Sequence, residues 1–309
     1  MRLPWQKPAP RLSVVLVVYR MPDQAARTLQ SLATTCQQGV SESDYEIIVV
    51  ENHSDRLLGE ATATSIGGNV RYLHRHETRR SPVFAVNAGA ATARGSHIAV
   101  MIDGARMLTP GVLRLSLDAF RMHPHAAVAV PGYHLGQKLQ QHAVNEGYDE
   151  QADAALLASI DWPRDGYRLH DIAVLSGSCR DGFLLPVGES NFLACSRERW
   201  QALGGMDERY DDYGGGYANL DLYKRLLERP DTPLFMLYGE GTFHQFHGGV
   251  TTGARAGELE RIAQLIADQD ERLHGKPRAA PGIPATLLGK PGPGVHRFLQ
   301  HSLDMLGKR

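Results

Sequence analysis

A largely apolar run, Ser96-His-Ile-Ala-Val-Met-Ile102, stops at Asp103 and is followed by Gly104-Ala105-Arg106. The run predicts a buried strand with one carboxylate at its carboxyl end, where open α/β sheets hold their ligands. Gly104 allows backbone or ligand to come close. A second acid two residues on would complete a clamp for a metal-bound diphosphate, but position 105 is Ala. Arg106, beside the missing acid, suits direct contact with a diphosphate. Further along, His244-Gln-Phe-His247 supplies two imidazoles, the commonest metal-ligating side chain. Gly241 before them and Gly248-Gly249 after them point to a loop or strand end.

The elements that must position these groups alternate between strand and helix. Leu12–Val18 and Tyr45–Val50 are uninterrupted and rich in β-branched residues, as expected of strands buried on both faces. Val70–His74 reads as a third strand. Helices are expected over Asp23–Thr35, around Arg56–Ser65 and over Val83–Arg94. Short connections make these right-handed βαβ units around a mostly parallel sheet. Each strand ends in polar residues: Tyr19, then Glu51-Asn52-His53-Ser54-Asp55, then Asp103. They converge on one sheet edge, which reads as a nucleotide site, although Ser54 and Asp55 also suit the capping of the next helix. No G-x-G-x-x-G follows Val18 and no G-x-x-x-x-G-K-[ST] occurs, which disfavours a dinucleotide site and a P-loop.

Downstream, Leu113–Met122 reads as a helix and Ala126–Pro131 as a short strand. Gly132–Gly182 reads as a polar, irregular insertion facing a substrate, with one helix over Gln151–Ile160. Leu220–Glu228 and Glu258–Leu273 read as helices, Leu234–Tyr238 as a regular segment, and Pro277–Gly294 as an extended Pro/Gly-rich tail. Val295–Leu306 reads as a short amphipathic helix that could pack on a partner chain or lie at a membrane surface.

The totals narrow the classes. The chain has 309 residues, 42% hydrophobic and 22% charged, with 33 basic against 34 acidic side chains and a net charge of −1. That is an ordinary soluble composition with room for a sizeable core. No basic excess favours nucleic acid. Cys36, Cys179 and Cys195 form no CxxC spacing, so small buried residues in a reducing compartment are expected. Met1–Arg11 lacks a signal-peptide core and Val14–Val18 is far too short to span a membrane, so the expected location is cytoplasmic.

In order along the chain, these motifs resemble the family 2 glycosyltransferases of GT-A fold. The resemblance runs from about Leu12 to Gly249. Ser13–Tyr19 resembles the opening strand and Val49-Val-Glu-Asn-His-Ser-Asp55 the family's V-D-[DN]-x-S-x-D. Asn87-x-Gly89, Ala93-x-Gly95 and Asp103-Gly-Ala105 stand where the family carries N-x-G, A-x-G and Asp-x-Asp. Asn191–Arg197 and Gly204-Gly-Met-Asp-Glu208 follow, the latter similar to G-G-F-D-E. Gly214-Gly-Gly-Tyr-Ala-Asn-Leu-Asp-Leu-Tyr-Lys-Arg225 is similar to G-x-E-D-x-D-L-x-x-R.

The resemblance implies transfer of a sugar from a nucleotide-sugar donor to an acceptor hydroxyl, with inversion, in glycan or polysaccharide biosynthesis. It implies a mostly parallel Rossmann-like sheet flanked by helices, with a C-terminal acceptor-side region. Residues 1–131 would be the nucleotide-sugar half, 132–253 the acceptor and catalytic half of the same domain, and 254–309 a helix and tail. Donor contacts fall to Tyr19, Glu51, Asn52, Asp55, Asn87, Asp103 and Arg106. Mn²⁺ or Mg²⁺ would be held by Asp103 with His244 or His247. Inverting transfer needs a base on the acceptor hydroxyl. The family's acidic pair reads Ala218-Asn219 here, which leaves Asp221 as first candidate and Glu189 as another. Asp221 equally suits a bond to Arg225 four residues on.

Arg75, Arg79 and Arg80 could reach phosphates or form a solvated loop. Tyr133, His134, Trp162, Tyr167 and Trp200 could stack on sugars, or serve as packing residues. A non-catalytic nucleotide-sugar-binding protein is the alternative that the two lost acids raise, and a nucleotidyltransferase or metal hydrolase ranks last.

Overall fold

In the computed structural model, which describes residues 8–79, 81–250, 252–254, 257–275 and 282–308, the apolar runs form the centre of one sheet. Strands β1 (Leu12–Val18), β2 (Tyr45–Asn52), β3 (Val70–Arg75) and β4 (His97–Met101) are parallel, in the order β4-β1-β2-β3. Every residue of β1 and β2 is buried, because helices cover both faces. On one face, Ala25, Leu29 and Leu32 of helix Pro22–Leu32 join a core with Leu16 and Val49. On the other, Val83 and Val86 of helix Val83–Ala91 pack with Val15 and Val50. A Cβ at Gly89 would stand 2.6 Å from Val15 and 2.8 Å from Val50. The glycine of the N-x-G motif is therefore a close-packing residue between helix and sheet.

The remaining strands are β5 (Arg106–Leu108), β6 (Ala127–Ala129), β7 (Gly132–Leu135), β8 (Ala173–Leu175), β9 (Leu193–Ser196), β10 (Leu234–Tyr238), β11 (Thr242–His244) and β12 (Ala285–Gly289). The main sheet has eight strands in the order β12-β10-β6-β9-β4-β1-β2-β3. Strand β9 runs antiparallel to both β4 and β6, and the other pairings are parallel. A second sheet, β5-β11-β7-β8, stands beside it.

Two expectations need correction. The segment 132–182 is no loose insertion: it contributes β7 and β8 to the second sheet. Its strands are three and four residues long, too short for periodicity to reveal. The Pro/Gly-rich tail is not a free extension. Residues 276–281 lie outside the described region, but β12 adds an edge strand to β10. All three segments of the expected domain division thus contribute to one sheet. Helix Glu60–Thr64 is shorter than the expected Arg56–Ser65, because residues 53–59 form a loop. No helix among the described residues is long and apolar enough to cross a membrane.

The second sheet covers a third core of Met107, Tyr133, Trp162, Phe243 and Phe298. His170 is fully buried there, its ring edge-on to Tyr133 and Phe243. Its Nδ1 donates to the Tyr167 carbonyl at 3.2 Å, while Nε2 has no partner. Burial pushes its pKa down to about 4. The unfolded chain binds a proton near pH 6.5, where the folded protein does not, so stability falls as pH drops from about 6.5 towards 4. This one group should cost about 2 kcal/mol at pH 5 relative to pH 7. Urea midpoints for the protein and for His170→Leu, taken at both pH values, check this. The variant should lose most of that group's share of the pH slope, and an unchanged slope would refute the assignment.

Candidate metal and nucleotide site

Alternation along the second sheet builds the site. In register, Phe243 pairs with Met107 and Tyr133, and His244 pairs with Arg106 and His134. Met107, Tyr133 and Phe243 turn one way into the third core. Arg106, His134 and His244 consequently share the opposite face. Strand β5 begins three residues after Asp103, so the end of β4 and the end of β11 meet.

There, His244 Nε2 lies 3.0 Å from Asp103 Oδ2 and 3.2 Å from His247 Nε2. His247 Nε2 is 3.5 Å from Asp103 Oδ1. The orientation of His244 is set by Gln140. The Gln140 amide nitrogen donates to the carbonyls of His244 at 3.0 Å and Leu135 at 3.4 Å. Its Oε1 therefore accepts from His244 Nδ1, at 2.5 Å. With the proton on Nδ1, a neutral His244 turns the Nε2 lone pair towards the Asp103 carboxylate. Burial and the Arg106 charge push its pKa down to about 4, so it is neutral at physiological pH. Burial opposes the charge on Asp103, but His247 offsets it and holds the carboxyl well below its ordinary range. A lone pair facing a carboxylate at 3.0 Å is a contact that a cation would relieve. One carboxylate and two imidazoles fit a borderline divalent ion such as Mn²⁺ better than the all-oxygen shell Mg²⁺ prefers. The Gln140 bond is the outer-shell support that ligating histidines usually have.

Ala105 is fully buried in the core under helix Pro22–Leu32, and its N–H donates to Asp103 Oδ1 at 3.0 Å. Gly104 is required by closeness, since a Cβ would stand 2.6 Å from the Val17 carbonyl. Arg106 is buried, its Nε lies 3.6 Å from Asp103 Oδ2, and Nε and Nη1 have no hydrogen-bond partner. A buried guanidinium with idle donors is a binding group for an anion.

The other expected residues divide. Tyr19 is 44% exposed, beside Arg20 in the left-handed region (φ 57°). Asp55 is exposed and paired with Arg20 at 3.1 Å. Asn52 is buried with Oδ1 unpartnered. Glu189 is half-buried, and Asn219 Nδ2 donates to its Oε2 at 2.7 Å and to the Ser190 carbonyl at 3.1 Å.

Three residues are engaged elsewhere. Glu51 is fully buried and accepts from Leu58 N–H (2.7 Å), Gly59 N–H (3.0 Å) and Tyr72 O–H (2.6 Å), so it closes the 53–59 loop and offers nothing to a donor. Asn87 accepts from Met206 N–H (2.9 Å) and donates to the Met206 carbonyl (3.0 Å) and Glu208 (3.1 Å). It ties its helix to the Gly204–Glu208 turn. Asp221 is buried in an ion pair with Arg225 at 2.5 Å, and Arg225 in turn donates to the Leu203 and Gly205 carbonyls. In each case a polar side chain that suits a ligand also suits a partner inside the protein.

Arg75 and Arg79 both pair with Glu77, and Arg80 lies outside the described residues. Tyr133, His134, Trp162 and Trp200 are buried, and half-buried Tyr167 donates to Glu240 at 3.0 Å. Sequence reasoning missed Gln140 and Asp153. Asp153 Oδ1 accepts from Phe246 N–H at 3.1 Å, between the two histidines, and burial pushes its carboxyl up to about 6. Nothing in the polar stretch around them marks either residue.

The profile of the family described as "Glycosyl transferase family 2" matches residues 13–169, half of the chain. The chain belongs to glycosyl transferase family 2. It is 25% identical over 208 residues to N-acetylgalactosaminyltransferase 6 of Drosophila melanogaster, which covers 67% of this chain and 30% of that protein. The chain thus spans about a third of the length of this curated relative. Among solved structures, the fold is similar to S. aureus TarS 1-349 in complex with UDP-GlcNAc. That match has TM-score 0.53 and 11% identity, over 84% of this chain and 66% of that one. It is also similar to the mannosyltransferase PcManGT from Pyrobaculum calidifontis in complex with GDP-Man and Mn²⁺, with TM-score 0.53 and 14% identity over 96% and 70%. At these identities the structural likeness fixes the GT-A fold, a mostly parallel sheet flanked by helices.

If Gln140 orients His244 for a metal, Gln140→Leu should weaken Mn²⁺ binding about 10- to 100-fold in calorimetric titration. An unchanged affinity would remove Gln140 from the metal shell.

Proposed function

We propose that this protein transfers a sugar from a nucleoside-diphosphate donor to an acceptor hydroxyl, with inversion, in glycan or polysaccharide assembly. The observation that carries the reading is the meeting of Asp103, His244 and His247 beside Arg106, whose buried donors are idle. Glycosyl transfer leaves a nucleoside diphosphate with concentrated charge, and fixed cations at that position stabilise it as it forms. Asp103, His244 and His247 would hold Mn²⁺, which when bound neutralises the diphosphate. Arg106 takes the anionic charge that the metal leaves unmet. Tyr19 and Asn52, at the ends of β1 and β2, line the same sheet edge and are the remaining donor contacts we assign; Asp55, paired with Arg20, is exposed there as well.

For the base we assign Glu189 and set Asp221 aside, because the Arg225 ion pair occupies it. Glu189 takes the proton of the acceptor hydroxyl. The acceptor oxygen bonds to the anomeric carbon as the bond to the β-phosphate oxygen breaks, and the electron pair leaves with the diphosphate. One displacement inverts the centre. Asn219 offers a reason why the family's acidic pair can be absent: its amide donates to Glu189 at 2.7 Å, where a second carboxylate would repel it. The relatives support the substrate class, since TarS binds UDP-GlcNAc and PcManGT binds GDP-Man with Mn²⁺.

Incubation with UDP- and GDP-sugars, Mn²⁺ and an acceptor panel should give nucleoside diphosphate and a product of inverted anomeric configuration. Asp103→Asn should abolish turnover. Glu189→Gln should lower kcat by about 10²- to 10⁴-fold and leave donor affinity near that of the unaltered protein. Donor binding without any turnover would favour the non-catalytic alternative, release of pyrophosphate would indicate a nucleotidyltransferase, and no binding of any nucleotide would reject all three.

A further inference from the structure

Three histidines outside this site converge at the far end of the same sheet edge. His53 follows β2, His74 lies in β3, and His76 follows β3; all three are exposed. One ring nitrogen from each lies within 4.8 Å of the others. The convergence follows from register. Glu51 pairs with His74 and Asn52 with Arg75, and the His53 N–H donates to the Arg75 carbonyl at 2.8 Å, which extends the ladder by one step. With a period of two, Glu51 and His53 share a face with His74 and His76. Glu51 is consumed by the loop it closes and by Tyr72, so the three imidazoles form an all-nitrogen set.

We infer that His53, His74 and His76 form a second metal site, selective for a late first-row divalent ion such as Zn²⁺. His53 Nδ1 and His74 Nε2 stand 3.2 Å apart. Two imidazole nitrogens bound tetrahedrally at about 2.0–2.1 Å from zinc stand roughly 3.3 Å apart, so this pair already has the edge length of such a site. The His76 ring centroid lies 4.7 Å from that of His53 and 4.8 Å from that of His74, close enough for a rotamer change to bring in its nitrogen. All three side chains are exposed, which leaves room for that change and for a water as fourth ligand. Nitrogen ligands without a carboxylate disfavour Mg²⁺ and Mn²⁺ and favour zinc and its neighbours. The site is separate from Asp103. In the order β4-β1-β2-β3 it stands two to three strand spacings away, about 10–14 Å. A bound ion would clip the start of the 53–59 loop to the edge strand, beside Asn52. The inference does not depend on the transfer reaction.

Equilibrium dialysis of the full chain against Zn²⁺ tests it, with Asp103→Asn and the double variant His74→Asn/His76→Asn alongside. The double variant should bind one equivalent fewer than the unaltered protein, and its Mn²⁺ titration should not change. The Asp103→Asn protein should keep the histidine-bound equivalent whether or not the Asp103 site takes zinc, so failure of either site shows separately. Retention of every equivalent by the double variant overturns the inference. A second measurement needs only one exposed substitution. Co²⁺ added to Asp103→Asn should give the visible bands of a nitrogen-ligated ion, and adding His53→Asn should abolish them. A spectrum of the free aqueous ion in Asp103→Asn would equally overturn the site.

Discussion

The candidate site depends on the pairing of β11 with β5 in one register. His244 stands opposite Arg106, and Phe243 opposite Met107. A slip of one residue would turn Phe243 towards Asp103 and Arg106 and bury His244 among aromatic rings. What prevents the slip is the third core: Met107, Tyr133 and Phe243 need the same apolar face, and Tyr133 stacks on Phe243 at 4.9 Å. Helix Pro22–Leu32 reinforces the register from the other side. Gln24 donates to the Phe246 carbonyl at 2.7 Å, and Gln245 donates to the Gln24 carbonyl at 3.0 Å and to Thr28 at 3.1 Å. Apolar packing thus decides where the chemistry-bearing groups face.

Around this junction the polar groups are specialised by burial. Arg106 is left with unpartnered guanidinium nitrogens, which burial makes expensive. Glu51, Asn87 and Asp221 have partners within the protein. Several family motifs are revealed as joints. Asn87 and Gly205 belong to one joint, because a Cβ at Gly205 would stand 2.7 Å from Asn87 Oδ1. Ala93-x-Gly95 belongs to another, where the Gly95 N–H donates to Ser13 at 2.9 Å and a Cβ would stand 2.7 Å from the Ser13 backbone.

The two departures from the family pattern have different standing. At position 105 the alanine side chain faces the core, and a carboxylate there would be buried beneath helix Pro22–Leu32. His244 and His247 reach Asp103 from the end of β11 instead. At position 219 the asparagine gives Glu189 a fixed donor that a second acid would have replaced with repulsion.

The sequence by itself determined the central strands, because runs such as Leu12–Val18 fit only a strand covered on both faces. It also determined the family and the strand-end position of Asp103. These are properties of residue order and local pattern. Tertiary structure alone decided that His244 faces Asp103, that Gln140 sets its proton, that Glu51 closes a loop, and that Asp221 is taken up by Arg225. It also brought His53 to His74 and His76. In each case the deciding partner lies across a turn, a strand pairing or a hundred residues of chain: 104 residues separate Gln140 from His244. A side chain's chemistry is set by the charges, donors and solvent around it, and only the folded chain brings those together.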